Sequence, residues 1–158
     1  MTELLADKTI KRIEQAAKLF FRLVLLVAPA GSGKTAALQD VHERMTVPLI
    51  NVNLELSRRM LDLTERQRAL QLPRLLAAIV GASGAGVVLL DNIEVLFDIS
   101  LKQDPLRLLQ GLSRNKTVVA AWSGSIDGEH MVYATSDHPE YKRYPLQDFL
   151  VVNPEVVR

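Results

Sequence analysis

Apolar positions along the chain alternate between helical and strand-like spacing, which predicts layers of helices and strands. Residues 22–28 are apolar at every position after Arg22 and have strand length, which is typical of a strand buried on both faces of a parallel sheet. Residues 3–18 instead predict an amphipathic helix with one apolar stripe of Leu5, Ala6, Ile10, Ile13 and Ala17. Further strands are predicted over 48–54, 86–91, 117–122, 130–135 and 149–152. Helices over 34–45, over 57–80 in pieces and from Asp104 onward separate them, so we expect βαβ units.

Local capping signals sharpen these helix boundaries. Thr64 and Gln67 have the spacing of a capping box, and Pro73 suits the first turn of a second helical piece. Asp104 and Pro105 have the order of an N-cap and a first turn. The glycine-rich segment 81–86 lacks a Lys-Ser/Thr pair and precedes a strand, so it is interpreted as a connection.

Composition narrows the class of protein. The 158 residues predict a single domain over 1–158, with residues 1–20 as a helix packed on or flanking it. The 48% apolar fraction excludes a disordered chain, and 19 basic against 18 acidic residues argue against whole-surface attraction to nucleic acid or membrane. Cysteine is absent, which excludes thiol chemistry, and the three histidines are too scattered to predict a metal site. No apolar run spans a bilayer and the start does not resemble a signal peptide, so we expect a soluble, cytoplasmic protein.

Residues 28–35 read APAGSGKT, which matches the phosphate-loop pattern G-x-x-x-x-G-K-[ST] with alanine in the first glycine position. Gly31 and Gly33 allow a tight turn whose backbone N–H groups face inward at a helix start. Lys34 would bridge the β- and γ-phosphates of ATP, and the Thr35 hydroxyl would hold Mg²⁺. A glycine-rich turn with a solvated lysine is the alternative, but the predicted strand before and helix after the loop favour phosphate binding. The predicted nucleotide-binding residues are Ala30, Gly31, Ser32, Gly33, Lys34, Thr35 and Ala36.

A second motif, VVLLDN at residues 87–92, ends a predicted strand in Asp91. A carboxylate there would reach the magnesium ion from the strand neighbouring the loop, although many core strands also end in aspartate. One predicted strand lies between the two motifs, as in the RecA- and AAA-like branch of P-loop NTPases. That branch usually has a glutamate next, to polarise water, whereas this chain has Asn92, which orients water without taking its proton. Glu94 and Glu55 are candidate substitutes, or both are ordinary solvated carboxylates.

Three further features have both a functional and an ordinary interpretation. Ser123, with Ser125 behind it, lies at the end of a predicted strand. In the RecA- and AAA-like branch a polar residue at that position contacts the γ-phosphate, but a serine in an ordinary turn is equally expected. Arg114 follows a helix and is either an arginine finger for a neighbouring subunit or a cation complementing the helix dipole. The basic stretch 58–74 is either a solvated face or a nucleic-acid or partner surface.

Several runs together resemble the BrxF family, the short P-loop proteins of type 3 BREX bacteriophage-defence systems. The runs are APAGSGKT, NVNLELSRRMLDL, LLDNIEVLFD, DPLRLLQGLSRN, VVAAWSG and YATSDHPEY, and they span most of residues 20–150. The resemblance implies a bacterial cytoplasmic protein that works on DNA with a methyltransferase, an alkaline-phosphatase-like protein and a larger ATPase. Its functional positions carry over to Lys34, Thr35 and Asp91, because these match a motif here.

We therefore expect a three-layer α/β P-loop NTPase fold of the RecA/AAA-like (ASCE) branch with a mainly parallel sheet. The chain ends soon after the predicted sheet, so no C-terminal helical lid domain is expected, and a homo-oligomer or hetero-complex would complete the site. The predicted function is a slow or partner-stimulated ATPase, with ATP and Mg²⁺ bound, that acts as a nucleotide-dependent switch. Two alternatives stay open: a small-molecule kinase with 57–74 as an arginine-bearing lid, and a non-hydrolysing module that binds nucleotide, DNA or protein.

Overall fold

The computed structural model describes residues 4–134 and 138–154, which contain seven strands and five α-helices. The strands are β1 (Leu23–Ala28), β2 (Leu49–Asn51), β3 (Val87–Asp91), β4 (Thr117–Asp127), β5 (His130–Tyr133), β6 (Lys142–Pro145) and β7 (Leu150–Val152). The helices are α1 (Leu5–Ala16), α2 (Lys34–Met45), α3 (Val52–Met60), α4 (Glu65–Gly81) and α5 (Pro105–Leu112). Two short 3₁₀ helices, Ile93–Phe97 and Ile99–Leu101, follow β3.

The central sheet has the order β2-β3-β4-β1-β7, and all of its neighbouring strands are parallel. Strand β4 continues past this sheet and pairs antiparallel with β5, which pairs antiparallel with β6. The prediction of a mixed α/β fold with a mainly parallel sheet is therefore confirmed. The sequence did not predict the order of the strands, and in the structure β4 separates β3 from β1.

Both faces of the sheet are covered by helices, as a parallel sheet requires. Side chains alternate across β1, so Leu25 packs on one face with α3, α4 and α5, while Leu26 packs on the other with α1 and α2. Every residue of β1 is buried, in agreement with its continuous apolar run. The arrangement is compatible with three layers. Within the described ranges, no helix combines the length and apolarity needed to cross a bilayer.

Two of the capping predictions are confirmed by hydrogen bonds. The Gln67 backbone N–H donates to the Thr64 hydroxyl at 3.2 Å, and the Thr64 N–H donates to the Gln67 side-chain oxygen at 2.9 Å, which completes the capping box. Asp104 accepts from the Arg107 N–H, and Pro105 opens α5. These local patterns define helix starts because they satisfy N–H groups that have no partner within the helix.

Two other boundary predictions are wrong for identifiable reasons. The predicted strand 48–54 stops at Asn51, whose side-chain oxygen accepts from the Leu54 N–H at 3.1 Å and starts α3. Pro73 lies inside α4 rather than in a first turn. A proline there leaves the carbonyl of Ala69, four residues earlier, without its helical donor. The Gln103 side-chain amide donates to that carbonyl at 2.8 Å, which accommodates the proline.

The end of the chain differs from the sequence prediction in extent. Strand β4 runs five residues further than predicted, to Asp127, and β6 was not predicted at all. Strands at 130–133 and 150–152 are confirmed, whereas Thr135, the predicted end of one of them, lies outside the described residues. Strand β6 has mostly exposed, polar side chains, so it lacks the apolar alternation that identifies a strand.

Candidate functional site at the carboxyl edge of the sheet

The glycine-rich loop, residues 28–35, connects the carboxyl end of β1 to α2 near the centre of the sheet. Gly31 and Gly33 have φ angles of 78° and 92°, in the left-handed region that favours glycine. A Cβ atom at either position would meet no atom within 4 Å. The backbone conformation, rather than crowding, therefore requires glycine at these two positions.

The backbone N–H groups of this loop are available to a ligand. Among the described residues, none of the N–H groups of residues 31–35 donates to a backbone carbonyl, and Gly33 caps α2 without a side chain. The 12-residue helix α2 also directs the positive end of its dipole at the loop. Free amides and a helix dipole together form an environment suited to phosphate oxygens.

Lys34 folds back over the inner side of the loop and is only 7% exposed. Its ammonium donates to the carbonyl oxygens of Ala28 and Pro29, both at 2.8 Å. An ammonium has three protons, so one remains for a further acceptor. Burial lowers the pKa of Lys34, while the carboxylates of Glu94 and Asp91 act in the opposite direction. The cation thus sits in a poorly solvated position where an anion would be favoured.

Thr35 and Asp91 meet across the sheet although β4 lies between their strands. The Thr35 hydroxyl donates to Asp91 Oδ2 at 2.7 Å, and the Asn92 backbone N–H donates to Asp91 Oδ1 at 2.9 Å. Asp91 is therefore held through both oxygens. A hydroxyl oxygen beside a carboxylate is a donor set that suits Mg²⁺ when phosphate oxygens complete the shell. The two predicted metal ligands are thus adjacent, as the motif spacing requires.

A second carboxylate, three residues after the end of β3 at Asp91, lines the same cavity. Asn92 has a φ of 55°, follows β3, and precedes the 3₁₀ helix Ile93–Phe97 that carries Glu94. The Ser123 hydroxyl, from β4, donates to Glu94 Oε2 at 2.7 Å. Sequence reasoning gave Glu94 and Ser123 as separate candidates, and the structure brings them into one pair. Asn92 also lines the cavity, but its side chain is exposed.

The cavity has a volume of 720 Å³ and a wall that the sequence did not predict. This wall is the start of the β4–β5 hairpin, where Gly124 and Tyr133 line the cavity beside Ser125. Only glycine fits at 124, because a Cβ atom would lie 1.9 Å from the Val132 carbonyl oxygen. Such close approaches arise from pairing between strands, so no local sequence pattern indicates them.

Tyr133 is anchored by its ring. The ring stacks on Phe97 with centroids 3.5 Å apart, and Phe97 belongs to the same 3₁₀ helix as Glu94. Burial raises the pKa of Tyr133 to about 12, with smaller contributions from Glu94 and Glu140. The phenol is consequently neutral across the physiological range and contributes a rigid wall rather than a charge.

Other predicted residues lie away from this cavity. Glu55, on α3, pairs with Arg59 at 2.8 Å and Arg58 at 3.5 Å. Arg114 lies at the opposite edge of the sheet, after α5, where its guanidinium is 5.2 Å from the Phe20 ring centroid. Neither residue lines the cavity of its own chain, and no arginine does among the residues that the structure describes. The segment 57–74 therefore does not form an arginine-bearing lid over the loop in this conformation.

The remaining predicted binding residues differ in their access to the cavity. Ala30, Gly31, Gly33, Lys34 and Thr35 line it, whereas Ser32 and Ala36 do not. The Ser32 hydroxyl donates to the Pro29 carbonyl and so braces the loop from within. The arrangement as a whole can hold a polyphosphate and a divalent cation and can orient a water molecule through Glu94.

Comparison with family models finds no match for this chain, and comparison with curated proteins finds none either. The contacts of the chain's own residues are therefore the basis on which we infer a function.

Proposed function

We propose that this chain is an ATP-binding protein with a P-loop NTPase fold of the RecA/AAA-like (ASCE) branch. In this proposal it hydrolyses ATP slowly, or on stimulation by a partner, and acts as a nucleotide-dependent switch. The observation that carries the proposal is the convergence on one loop of unpaired amides, the buried Lys34 and the 2.7 Å contact between Thr35 and Asp91. The strand order, with β4 between β1 and β3, also supports this branch.

The residues present fit Mg·ATP. The amides of the glycine-rich loop would receive phosphate oxygens, and the third proton of Lys34 would face the β- and γ-phosphates. Thr35 and Asp91 would hold Mg²⁺, whose charge neutralises the phosphate oxygens when it is bound. A polyphosphate would compete with the carbonyls of Ala28 and Pro29 for the protons of Lys34, and a metal ion would compete with the Thr35 hydroxyl proton for Asp91.

Glu94 is the best candidate to receive the proton of an attacking water. It is the second carboxylate of the cavity, and Ser123 fixes its orientation through one oxygen. The other oxygen is left for water, whereas the Asn92 amide has no basic atom. Two features of Glu94 support slow rather than fast turnover. One of its oxygens is already engaged by the Ser123 hydroxyl, and its carboxylate does not lie at the position directly after Asp91.

The switch follows from the same hydrogen bonds. Binding of Mg·ATP would turn Lys34 toward the phosphates and replace the hydrogen bond between Thr35 and Asp91 by contacts of both residues with Mg²⁺. Asp91 lies at the end of β3, close before the 3₁₀ helix that carries Glu94, so this change would reach that helix. A ligand shifts an equilibrium by the difference in its affinity for two states, and these bonds supply that difference. Arg114, at the far edge of its own chain, would act on the site of a neighbouring subunit.

The resemblance to the BrxF family extends the proposal to a cellular role. We infer an assembly or regulatory factor in the bacterial cytoplasm, acting with other BREX proteins on DNA in anti-phage defence. This part rests on the sequence runs quoted above. The fate of the γ-phosphate distinguishes the proposed ATPase from the two alternatives, a small-molecule kinase and a non-hydrolysing module.

The binding proposal is tested by thermal unfolding with and without Mg·ATP. At an ATP concentration of about 100 Kd the wild type should gain about 2.7 kcal/mol of unfolding free energy. Lys34→Ala should gain none. Lys116→Ala is the matched control, because Lys116 also donates to a backbone carbonyl, that of Val80, away from the cavity. Persistent stabilisation of Lys34→Ala by Mg·ATP would contradict the proposal.

The reaction itself is tested with γ-labelled ATP, first with the protein alone and then with DNA and the products of neighbouring genes. Free labelled phosphate indicates an ATPase, and a labelled acceptor indicates a kinase. ATP that remains intact under all conditions indicates a non-hydrolysing module.

A further inference from the structure

A second surface of the chain exposes three large aliphatic side chains. Leu61, after the end of α3, is 74% exposed, Leu70 on α4 is 73% exposed, and Ile99 in the second 3₁₀ helix is 60% exposed. We call this surface the leucine face and define it by these three residues and the charged side chains between them. Single exposed leucines are ordinary, but a contiguous apolar patch marks a site of association.

Two of the three side chains, Leu61 and Leu70, line one concave surface, and Ile99 is next in sequence to a residue that lines it. Two clefts of 350 and 460 Å³ adjoin each other and share Glu65 and Ser100 in their walls. Leu61 lines the first cleft, Leu70 lines the second, and Ile99 directly precedes Ser100. The leucine face is therefore a continuous groove between α3, α4 and the second 3₁₀ helix.

The groove carries uncommitted charges of both signs. Two charged side chains of the groove already have partners within the chain. Asp98 accepts from Ser100, and Arg68 donates to the carbonyls of Leu61 and Leu63. Within residues 4–134 and 138–154, no ion pair or side-chain hydrogen bond engages Glu65, Arg66 or Lys102.

This mixture of charges favours a second copy of the chain as the occupant. A partner of a single charge would leave one sign on the groove unpaired. In an isologous contact, by contrast, the same patch of two copies meets about a two-fold axis. Glu65 of one copy can then face Arg66 or Lys102 of the other, while the aliphatic side chains are buried between them.

We propose that the leucine face is a self-association surface on which a second copy of this chain docks in an isologous dimer. The inference goes beyond nucleotide binding and does not depend on it. One consequence does rest on the proposed function. Val95 lines the first cleft and adjoins Glu94, so docking would hold the 3₁₀ helix that presents Glu94 to the nucleotide cavity.

Sedimentation equilibrium of the full chain, without nucleotide and over a wide concentration range, tests the proposal. The wild type should form a dimer, and Leu70→Glu should raise its dissociation constant by at least ~30-fold, as for a residue central to an interface. Leu4→Glu is the matched control, because Leu4 is 64% exposed at the start of α1, on the other face of the sheet. Circular dichroism verifies that both variants fold.

A charge-reversal series tests the two-fold arrangement. Glu65→Arg should weaken the dimer, and Arg66→Glu introduced into the same chain should restore it, because the face regains both signs. A wild type that stays monomeric, or a Leu70→Glu variant that dimerises like the wild type, would overturn the proposal and leave the groove to another protein.

Failure of this proposal and failure of nucleotide binding are distinguishable. Lys34→Ala should dimerise like the wild type, and Leu70→Glu should still be stabilised by Mg·ATP. A dimer that dissociates in Lys34→Ala would place the contact at the nucleotide site and so contradict the assignment to the leucine face.

Discussion

The cavity beside the glycine-rich loop buries charged side chains, whereas the leucine face exposes apolar ones. At the cavity, Lys34 and Asp91 are buried although they are charged, and on the leucine face Leu61 and Leu70 are exposed although they are apolar. Both buried charges have hydrogen-bond partners within the chain, so these two side chains are satisfied without a second molecule. The exposed leucines have no such cover among the described residues, which is why we propose a second copy of the chain on that face.

The largest expected effect separates chemistry from binding at the cavity. Glu94→Gln keeps the shape of the side chain but removes the proton acceptor, so kcat for ATP hydrolysis should fall by about 100- to 1,000-fold. Mg·ATP should still stabilise the variant. Glu55→Gln is the control, because Glu55 pairs with arginines on α3 and does not line the cavity.

Three results would revise this view of Glu94. Unchanged hydrolysis in Glu94→Gln would remove Glu94 from the chemistry. Loss of binding together with hydrolysis would assign it to the metal site instead. Equal losses in the two glutamate variants would mean that neither is specific.

The next effect concerns the wall of the cavity and depends on pH. The folded protein holds the pKa of Tyr133 at about 12, above its ordinary value of 10, so folding favours the neutral phenol. That stabilisation is fully present below pH 10 and is lost as the pH rises toward 12, because the unfolded chain ionises first. A difference of about two pKa units corresponds to about 3 kcal/mol before solvent screening, which reduces it for a partly buried group.

Urea unfolding of the wild type and Tyr133→Phe between about pH 9 and about pH 11.5 measures this effect. The difference in unfolding free energy should shift in favour of Tyr133→Phe as the pH rises. Parallel pH profiles for the two proteins would show that folding does not raise the pKa of the Tyr133 phenol.

The glycine-rich loop could be predicted from sequence because its conformation depends on neighbouring residues. Positive φ angles at Gly31 and Gly33, and the start of α2 at Lys34, are all encoded within the short segment 28–35. The meeting of Thr35 with Asp91 could also be anticipated, since both follow parallel strands whose carboxyl ends share an edge.

The rest of the cavity could not be predicted, because it depends on contacts between distant segments. The pairing of Glu94 with Ser123 requires a 3₁₀ turn after Asn92 and the correct position of β4. Tyr133 reaches the cavity because it lies on β5, which pairs with the end of β4 outside the central sheet. Local propensity does not specify such registers.

The leucine face was missed for a different reason. In the helical pattern over 57–80 the arginines stood out, and leucines in a helix are ordinarily assigned to the core. Pro73 also lies inside α4, the helix that carries Leu70, and proline in the middle of a helix is normally excluded. The carbonyl that the proline leaves vacant accepts from Gln103, which lies far away in sequence.

The smallest expected effect concerns the hydrogen bond between Gln103 and α4. It shows whether backbone carbonyls near the leucine face depend on a side-chain donor, as those of Ala28 and Pro29 at the cavity do on Lys34. The Gln103 amide donates to the Ala69 carbonyl at 2.8 Å, and the proline makes this acceptor vacant. Gln103→Ala should therefore cost about 1–2 kcal/mol of unfolding free energy, the range for an acceptor left without a donor.

In a Pro73→Ala background the backbone N–H restored at that position can reach the Ala69 carbonyl, so the same substitution at Gln103 should cost much less. Urea unfolding of the wild type, both single variants and the double variant gives the coupling energy, expected to be about 1 kcal/mol. Additive losses would mean that solvent already satisfies this carbonyl, and that the helix beneath the leucine face tolerates the proline without help from Gln103.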